Sequence, residues 1–261
     1  MFAIHEVNAL LEDDREFWQL VYYPRLDSTN TETWRLFESN GSAGTVVITD
    51  DQTAGRGRGA HTWLARPGLG LTFSILLQPD LAADRAGLLP IISGVAVAEA
   101  LADAGLPAQL KWPNDIYLNG KKTGGILCES RISGRRLTAA VIGIGLNVNN
   151  THTDFPPSLR QRATSLRNES GRKFRRESLL AAILNRLRLW LAQPDYGAAR
   201  LVQHWQRAAL LIGATVTMNV AGTKVIGKFA GINNRGEALI AAEGKTAPFA
   251  SGTINEFREV E

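Results

Sequence analysis

Hydrophobic residues recur along the chain with two periods, and each period predicts one type of element. Apolar residues at spacings of three and four predict a helix over 178–191, through Leu180, Ile183, Leu184, Leu187 and Leu191. Further helices are predicted over 28–40, 88–104 and 198–210. Short apolar runs predict strands over 45–49, 71–77, 108–112, 116–118, 125–129 and 137–148.

The predicted helix near Ser28 carries start and stop signals. Thr29 and Glu32 stand three apart, which is the spacing of a capping box, and Asn40-Gly41 is a typical helix end.

After Gly213 the pattern changes to short strands separated by turns. These strands are predicted over 215–220, 224–232, 238–242 and 245–249. The pattern predicts a small β-barrel appended to an α+β domain, with the boundary near Ile212.

Composition excludes several classes of protein. Of 261 residues, 44% are hydrophobic and 21% charged, which is typical of a globular chain. A net charge of +4 suits acidic or phosphate-bearing partners but is too small to indicate nucleic-acid binding by itself. The uncharged stretch 86–98 is too short to span a bilayer and no signal peptide is visible, so we expect a cytoplasmic protein without a membrane partner.

Cysteine and histidine give no sign of a metal site. Cys128 is the single cysteine, so an internal disulfide is excluded and a buried, inert thiol is expected. The four histidines are scattered without metal-ligand spacing.

Alternating glycine and arginine mark the first candidate element, residues 52–63, which we call the Arg-Gly loop. Ordering so many glycines is costly, but a ligand that draws Arg56 and Arg58 over its phosphates would compensate. Trp63 could cover a purine or an apolar ligand. The alternatives are a flexible basic loop and ordinary core packing of the tryptophan.

The second element is Lys111-Trp112-Pro113-Asn114-Asp115, followed by Lys122-Thr123-Gly124-Gly125-Ile126-Leu127. The intervening turn residues predict a hairpin that returns Lys122 towards Lys111 and Asp115. Two converging lysines favour a bound anion between them. The alternative is turn chemistry with solvated lysines.

The third element, residues 143–149, alternates glycine with aliphatic residues and ends a predicted strand at Asn147. This asparagine could reach phosphate or ribose, although an asparagine that closes a strand is more often structural.

In order and spacing, these elements together with Ser28-Thr29-Asn30 resemble those of the biotin protein ligases. The resemblance extends over most of the chain. It implies a mixed β-sheet catalytic domain with packed helices over 1–211 and a C-terminal SH3-like β-barrel over 212–261. It also implies formation of biotinyl-5′-AMP from biotin and ATP, with Mg²⁺ accompanying ATP, and transfer of biotin to a lysine of a biotin carboxyl carrier protein or domain.

The resemblance also implies the site residues. Those for biotin would be Ser28, Thr29, Gln52, Gly55, Arg56, Lys122 and Gly125. Those for ATP and the adenylate would be Arg58, Trp63, Lys111, Asn114, Asp115 and Asn147. Lys122, Asp115 and Arg58 would be catalytic, and no metal ligand is indicated.

Two departures from the family pattern limit what the resemblance implies. Where the family loop often carries further basic residues, this chain has Gly59-Ala60-His61-Thr62, so phosphate binding by that part is in question. The roughly twenty residues before Val21 are too few for a helix-turn-helix module, which needs about three helices, so we expect no DNA binding by that route.

Two other functions compete with this interpretation. Lipoate or octanoate ligases share the fold and the catalytic lysine, although Lys111–Asp115 and the Arg-Gly loop favour biotin. A basic nucleic-acid-binding module is a rival from another class, but it gives no role to lysines beside Asp115. The sequence leaves open the acceptor, the choice between monomer and homodimer, and the role of the C-terminal barrel.

Overall fold

The computed structural model describes residues 2–12, 15–79, 81–220 and 222–257, and it contains two separate β-sheets. The larger sheet has eight strands, which are β1 Gln19–Leu26, β2 Thr45–Gln52, β3 Gly70–Leu77, β4 Leu81–Ala82, β5 Gln109–Lys111, β6 Asp115–Leu118, β7 Lys121–Ser133 and β8 Arg136–Asn147. Seven of them follow the order β1-β2-β3-β8-β7-β6-β5, and β4 pairs with the end of β8. Among the described strands of this sheet, β1 and β2 are the one parallel pair and the other pairs are antiparallel, so the predicted mixed sheet is confirmed.

Helices cover both faces of this sheet. They are α1 Ile4–Leu10, α2 Thr29–Glu38, α3 Leu88–Asp103, α4 Leu166–Ser170, α5 Arg176–Leu191 and α6 Ala198–Ala208. Short 3₁₀ turns lie at Arg15–Phe17, Ala83–Arg85, His152–Asp154 and Pro194–Gly197. Helices α3 and α5 pack together over one face, and α2 packs on β2, β3 and β8.

The alternation along β8 explains how one face forms the core and the other a site. Ile142, Ile144 and Leu146 are buried in the hydrophobic core, whereas Gly143 and Gly145 point to the side of α2. Because side chains alternate across a strand, the two glycines leave space on the α2 side of the sheet's centre and none on the core side.

Helix α3 is a strongly apolar helix, with twelve of its sixteen residues buried. With the turn before it, the segment Ala83–Asp103 has the length and composition to cross a bilayer, but 67% of its most apolar window is buried inside the protein. Its residues pack against α5, α6 and strands of the sheet, so it serves as the core helix.

The second sheet consists of β9 Thr215–Val220, β10 Thr223–Ile232, β11 Ala238–Ala242, β12 Lys245–Phe249 and β13 Thr253–Glu256. It is antiparallel in the order β12-β11-β10-β9-β13. This arrangement is consistent with the expected SH3-like module, although within the described residues the edge strands do not pair to close a barrel. We propose that the two domains span residues 1–211 and 212–261.

Several hydrogen bonds attach this C-terminal module to the main sheet. The buried Trp112 donates from Nε1 to the carbonyl oxygen of Gly236 at 2.9 Å. Lys111 Nζ donates to Asn255 Oδ1 of the module at 3.1 Å. The strand that carries Lys111 is therefore fixed against the module.

Each strand and helix that the pattern predicted is present, with bounds shifted by a few residues. Strand β1 was missed because Pro24 interrupts its pattern; β1 is an edge strand, where proline is tolerated. Helix α1 and strand β13 were also missed.

The predicted capping box is wrong. Ser28 is the N-cap of α2, and it makes no side-chain cap hydrogen bond. The Thr29 hydroxyl instead bonds Gln52, and Glu32 accepts from Tyr23 and pairs with Arg35. Because the Thr29 and Glu32 side chains bond these other partners, the capping box does not form.

Candidate active site

One cavity of about 600 Å³ lies between the α2 side of the main sheet, the Arg-Gly loop and the C-terminal module. The three predicted elements, separated along the chain, all contribute to its wall. Eleven of the thirteen predicted site residues line it: Ser28, Thr29, Gln52, Arg56, Arg58, Trp63, Lys111, Asn114, Asp115, Lys122 and Gly125.

Neutral polar groups form one end of the cavity, which we call the polar end (Ser28, Thr29, Asn30 and Gln52). The Gln52 side-chain oxygen accepts from Thr29 N at 2.8 Å and from its hydroxyl at 3.2 Å. The buried Ser74 hydroxyl lies 2.7 Å from Thr29 Oγ1 and 2.6 Å from Asn30 Oδ1. These bonds fix the orientation of Thr29, Asn30 and Gln52 before any ligand arrives.

Gly143 allows Asn30 to occupy this position. A Cβ atom at residue 143 would lie 2.1 Å from Asn30 Oδ1, so any larger residue would displace the amide. Gly143, which belongs to the predicted third element, is therefore needed at the polar end because a side chain there would collide with Asn30.

The Arg-Gly loop folds back on itself. Arg56 and Thr62 form an antiparallel bridge, and Gly57 N donates to the carbonyl of His61 at 2.7 Å. The segment that departs from the family pattern, Gly59-Ala60-His61-Thr62, lies at this turn and lines the cavity.

The two arginines of the loop have different partners. Arg56 makes a two-pronged ion pair with Glu129 on β7, with Nη1–Oε1 at 2.8 Å and Nη2–Oε2 at 3.0 Å. Arg58 donates to the carbonyl oxygen of Gly252 at 2.5 Å. Arg56 therefore ties the loop to the main sheet, and Arg58 ties it to the C-terminal module.

Charged groups form the opposite end, which we call the cationic end (Arg58, Lys111, Asp115 and Lys122). The predicted hairpin is present as β5, β6 and β7. Asp115 of β6 lies opposite Lys111 of β5 on one side and opposite Gly125 of β7 on the other. It brings Lys122 Nζ within 2.5 Å of Asp115 Oδ1.

Asn114 ties the turn of this hairpin to β7. Its Nδ2 donates to the carbonyl of Ile126 at 2.6 Å, and the Ile126 N–H donates back to the carbonyl of Asn114 at 2.9 Å. Asn114 therefore stabilises the hairpin in addition to lining the cavity.

Lys111 completes the cationic end from the first strand of the hairpin. Its Nζ lies 3.1 Å from Asn255 Oδ1 of the C-terminal module. Burial lowers the pKa of Lys111, Lys122 nearby lowers it further, and Asp115 opposes the shift. A bound anion would relieve this cost, because it favours the charged amine.

Trp63 divides the two ends. Its indole lies on Gly145, where an added Cβ would be 2.5 Å from Cε2, and beside Gly125, where the distance would be 3.8 Å to Cζ3. The indole Nε1 is buried and has no hydrogen-bond partner within the described part of the chain. A donor of this kind is left for a ligand or a water molecule.

Two predicted residues lie outside the cavity wall. Asn147 is buried, and its Nδ2 donates to the carbonyl of Thr164 at 3.0 Å, so it closes the strand structurally. Gly55 lies where a Cβ would be 2.4 Å from the carbonyl oxygen of Trp63, so it allows the two sides of the loop to approach.

Sequence reasoning missed two groups of functional neighbours. Asn30, quoted in the motif, was given no role, and Glu129 follows Gly125 and Leu127 on the same face of β7, so period two could have found it. From the C-terminal module, Asn219, Ser251, Gly252 and Thr253 line the cavity without any local signal.

Cys128 lies outside the cavity wall, and of the four histidines in the described residues His61 alone lines the cavity. Burial raises the pKa of the Cys128 thiol far above its ordinary value, as expected of an inert cysteine. Within the described ranges no group of three histidine, cysteine, aspartate or glutamate side chains could hold a metal ion.

The chain is similar to known proteins in sequence and in fold. Residues 22–147 match the model of the biotin/lipoate A/B protein ligase family. The bifunctional ligase/repressor BirA of Bacillus spizizenii is 36% identical over 229 residues, which span 86% of this chain and 70% of that protein. The chain belongs to the biotin protein ligase family.

Other relatives agree in sequence and in fold. The biotin–[acetyl-CoA-carboxylase] ligase of Paracoccus denitrificans is 32% identical over 83% of this chain and 91% of its own length. The structure of the Aquifex aeolicus biotin protein ligase in complex with biotin and ATP superimposes with a TM-score of 0.74 at 32% identity, covering 92% of this chain and 99% of that one. The resemblance predicted from the motifs is thus confirmed.

Proposed function

We propose that the chain activates biotin with ATP to biotinyl-5′-AMP and transfers the biotinyl group to a lysine of a biotin carboxyl carrier protein or domain. The observation that carries this proposal is the shared cavity. Lys111 and Lys122 of the hairpin and Arg58 of the Arg-Gly loop face one space, beside a set of fixed neutral polar groups. Such a space suits a neutral head group joined to an anionic tail.

In the first step, the biotin carboxylate attacks the α-phosphorus of ATP and pyrophosphate leaves. The carboxylate is ionised at neutral pH, so no base is needed. The barrier is the approach of two anions, which Arg58, Lys111 and Lys122 lower by neutralising charge.

The polar end selects the substrate of this step. Ser28, Thr29 and Gln52 bind the ureido head, which is neutral and rich in donors and acceptors. Thr29 and Gln52 are already oriented by bonds to each other and from Thr29 to Ser74, so binding costs little ordering of these two side chains.

In the second step, a lysine amine of the acceptor attacks the mixed anhydride and AMP leaves. Asp115 accepts the proton of this amine, which is normally charged at pH 7. Lys122, held 2.5 Å from Asp115, stabilises the leaving phosphate.

The residues of the cavity wall fit Mg²⁺ only as an ion that is bound to the phosphates of ATP. Asp115 is the one carboxylate among the described lining residues, and Lys122 already contacts it. Mg²⁺ commonly binds through substrate phosphates and few protein carboxylates, so these residues are compatible with an ion that arrives on the nucleotide and neutralises its charge.

The C-terminal module completes the nucleotide side of the cavity in this proposal. Gly252 accepts from Arg58, and Asn255 contacts Lys111. We place the reaction in the cytoplasm, with the chain as monomer or homodimer and with no DNA or membrane partner.

The direct test measures pyrophosphate release from ATP with biotin, lipoate or octanoate as the acid, followed by transfer to a lysine-bearing carrier domain. We expect biotin alone to support both steps. Release with lipoate or octanoate instead would assign the other activity of the family. Binding to nucleic acid that weakens steeply with salt, without any pyrophosphate release, would support the nucleic-acid module.

A further inference from the structure

Glu129 lies outside the cavity wall, and its carboxylate accepts three hydrogen bonds and makes one further ion-pair contact. Arg56 Nη2 donates to Oε2 at 3.0 Å, and Arg56 Nη1 lies 2.8 Å from Oε1. Asn30 Nδ2 donates at 3.0 Å and Trp34 Nε1 at 3.1 Å. All three hydrogen bonds converge on Oε2, so this one oxygen joins Arg56, Asn30 and Trp34.

These bonds connect the Arg-Gly loop to the polar end. From Arg56 the path runs through Glu129 to Asn30, and from the Asn30 carbonyl to the Ser74 hydroxyl at 2.6 Å. Ser74 in turn touches Thr29 at 2.7 Å. One carboxylate therefore sets both the position of the loop and the orientation of an amide in the cavity wall.

The pairing also changes the role of Arg56. Its positive charge is already matched by Glu129, with side chains 44% and 27% exposed respectively. A planar guanidinium held at two points is a rigid link rather than a free cation. Phosphate neutralisation is thus left to Arg58 and the lysines.

We propose that Glu129 is a positioning residue that holds the Arg-Gly loop, through Arg56, and Asn30 in the geometry that binds biotin and retains the adenylate. It touches neither substrate, so it affects biotin binding and adenylate escape rather than the chemical step. This inference rests on the function proposed above.

The chain offers a matched control for this role. Glu38 of α2 pairs with Arg131 of β7, so it joins the same two elements as Glu129, but neither residue lines the cavity. If Glu129 only tied α2 to β7, the two glutamates would be equivalent.

The experiment compares Glu129→Gln with Glu38→Gln in the full chain. Biotin-dependent pyrophosphate release gives KM and kcat, and gel filtration of enzyme-bound biotinyl-5′-AMP gives the escape rate. For Glu129→Gln we expect about a tenfold rise in the KM for biotin and in the escape rate, the scale of losing a charged hydrogen bond, with kcat within about threefold. Glu38→Gln should change none of the three.

A second pair of variants tests the route through Arg56. In an Arg56→Ala background, Glu129→Gln should raise the escape rate by less than about twofold, because the link is already lost. The effect on the KM for biotin, which passes through Asn30, should persist.

Equal behaviour of Glu129→Gln and Glu38→Gln, or a loss confined to kcat, would overturn the inference. If Glu129→Gln does not fold, Arg56→Lys tests the same link from its exposed partner, since lysine cannot form the two-pronged pair. An unchanged escape rate in that variant would also overturn it. Absence of biotin-dependent pyrophosphate release in the unmodified chain would instead refute the proposed function.

Discussion

The two ends of the cavity differ in how their side chains are held. At the polar end, Thr29, Asn30 and Gln52 bond one another directly or through Ser74, and these residues are neutral. At the cationic end the lysines are held by separate contacts rather than by a shared network. Lys122 contacts Asp115, and Lys111 contacts Asn255 and lies 5.8 Å from the centroid of the Tyr117 ring.

This difference matches the two kinds of chemistry. The hydrogen bonds of a neutral head group gain little over those it makes with water, so its partners must be held in position in advance. A phosphate is attracted by charge at longer range, and its partners can reorganise when it arrives. In the proposed function, recognition therefore lies at the rigid end, and catalysis at the end that gains its order from the ligand.

The strongest test of the comparison is Lys122→Ala, which removes a cation from the reacting end. We expect a loss of about 3 kcal/mol in the first half-reaction, the scale of one preorganised charge donor. Single-turnover formation of biotinyl-5′-AMP measures it. Lys121→Ala is the control, because Lys121 precedes it on β7 outside the cavity wall; near-normal adenylate formation in Lys122→Ala would remove this lysine from the mechanism.

Two glycines of β8 allow each end to be disturbed separately. Gly143→Ala would push against Asn30, and Gly145→Ala against the indole of Trp63. We expect each to cost about 2 kcal/mol in binding, as overpacking does, with Gly143→Ala raising the KM for biotin and Gly145→Ala that for ATP. Steady-state kinetics with either substrate varied measures both.

Each of these glycine variants serves as the control for the other. If both raised the same KM, the division of the cavity into two ends would be wrong.

The Arg-Gly loop meets the C-terminal module through Arg58. Arg58→Ala removes the bond to Gly252 and one cation, so we expect adenylate to escape about tenfold faster. Arg66→Ala, at an arginine just beyond Trp63 and outside the cavity wall, should leave escape unchanged. An unchanged rate in Arg58→Ala would contradict a closing role for the loop.

We expect the smallest effect from a rise in pH, which should weaken binding of the adenylate. Burial lowers the pKa of Lys111 below its ordinary value of 10.5, and only the charged amine attracts phosphate. Affinity for the adenylate should therefore be full below that lowered pKa and fall as pH rises through it, at a pH below 10.5. Titration calorimetry across this range measures the fall, and Lys111→Arg should abolish it because arginine stays charged.

Much of the architecture follows from the sequence by itself. Glycine alternating with aliphatic residues from 143 to 146 determines which face of β8 belongs to the core, because side chains alternate along a strand. The hairpin that joins Lys111, Asp115 and Lys122 likewise follows from local turn chemistry and strand spacing. Such features depend only on neighbours along the chain.

The tertiary structure decided which partner each side chain has. Arg56 and Arg58 look alike in sequence, yet one pairs with Glu129 and the other with Gly252, which lie 73 and 194 positions away. Asn147 resembled a ligand-binding residue but bonds Thr164, and the C-terminal module closes the cavity without any motif. Hydrogen bonds and ion pairs select the nearest complementary group in space, and that proximity exists only once both sheets have packed.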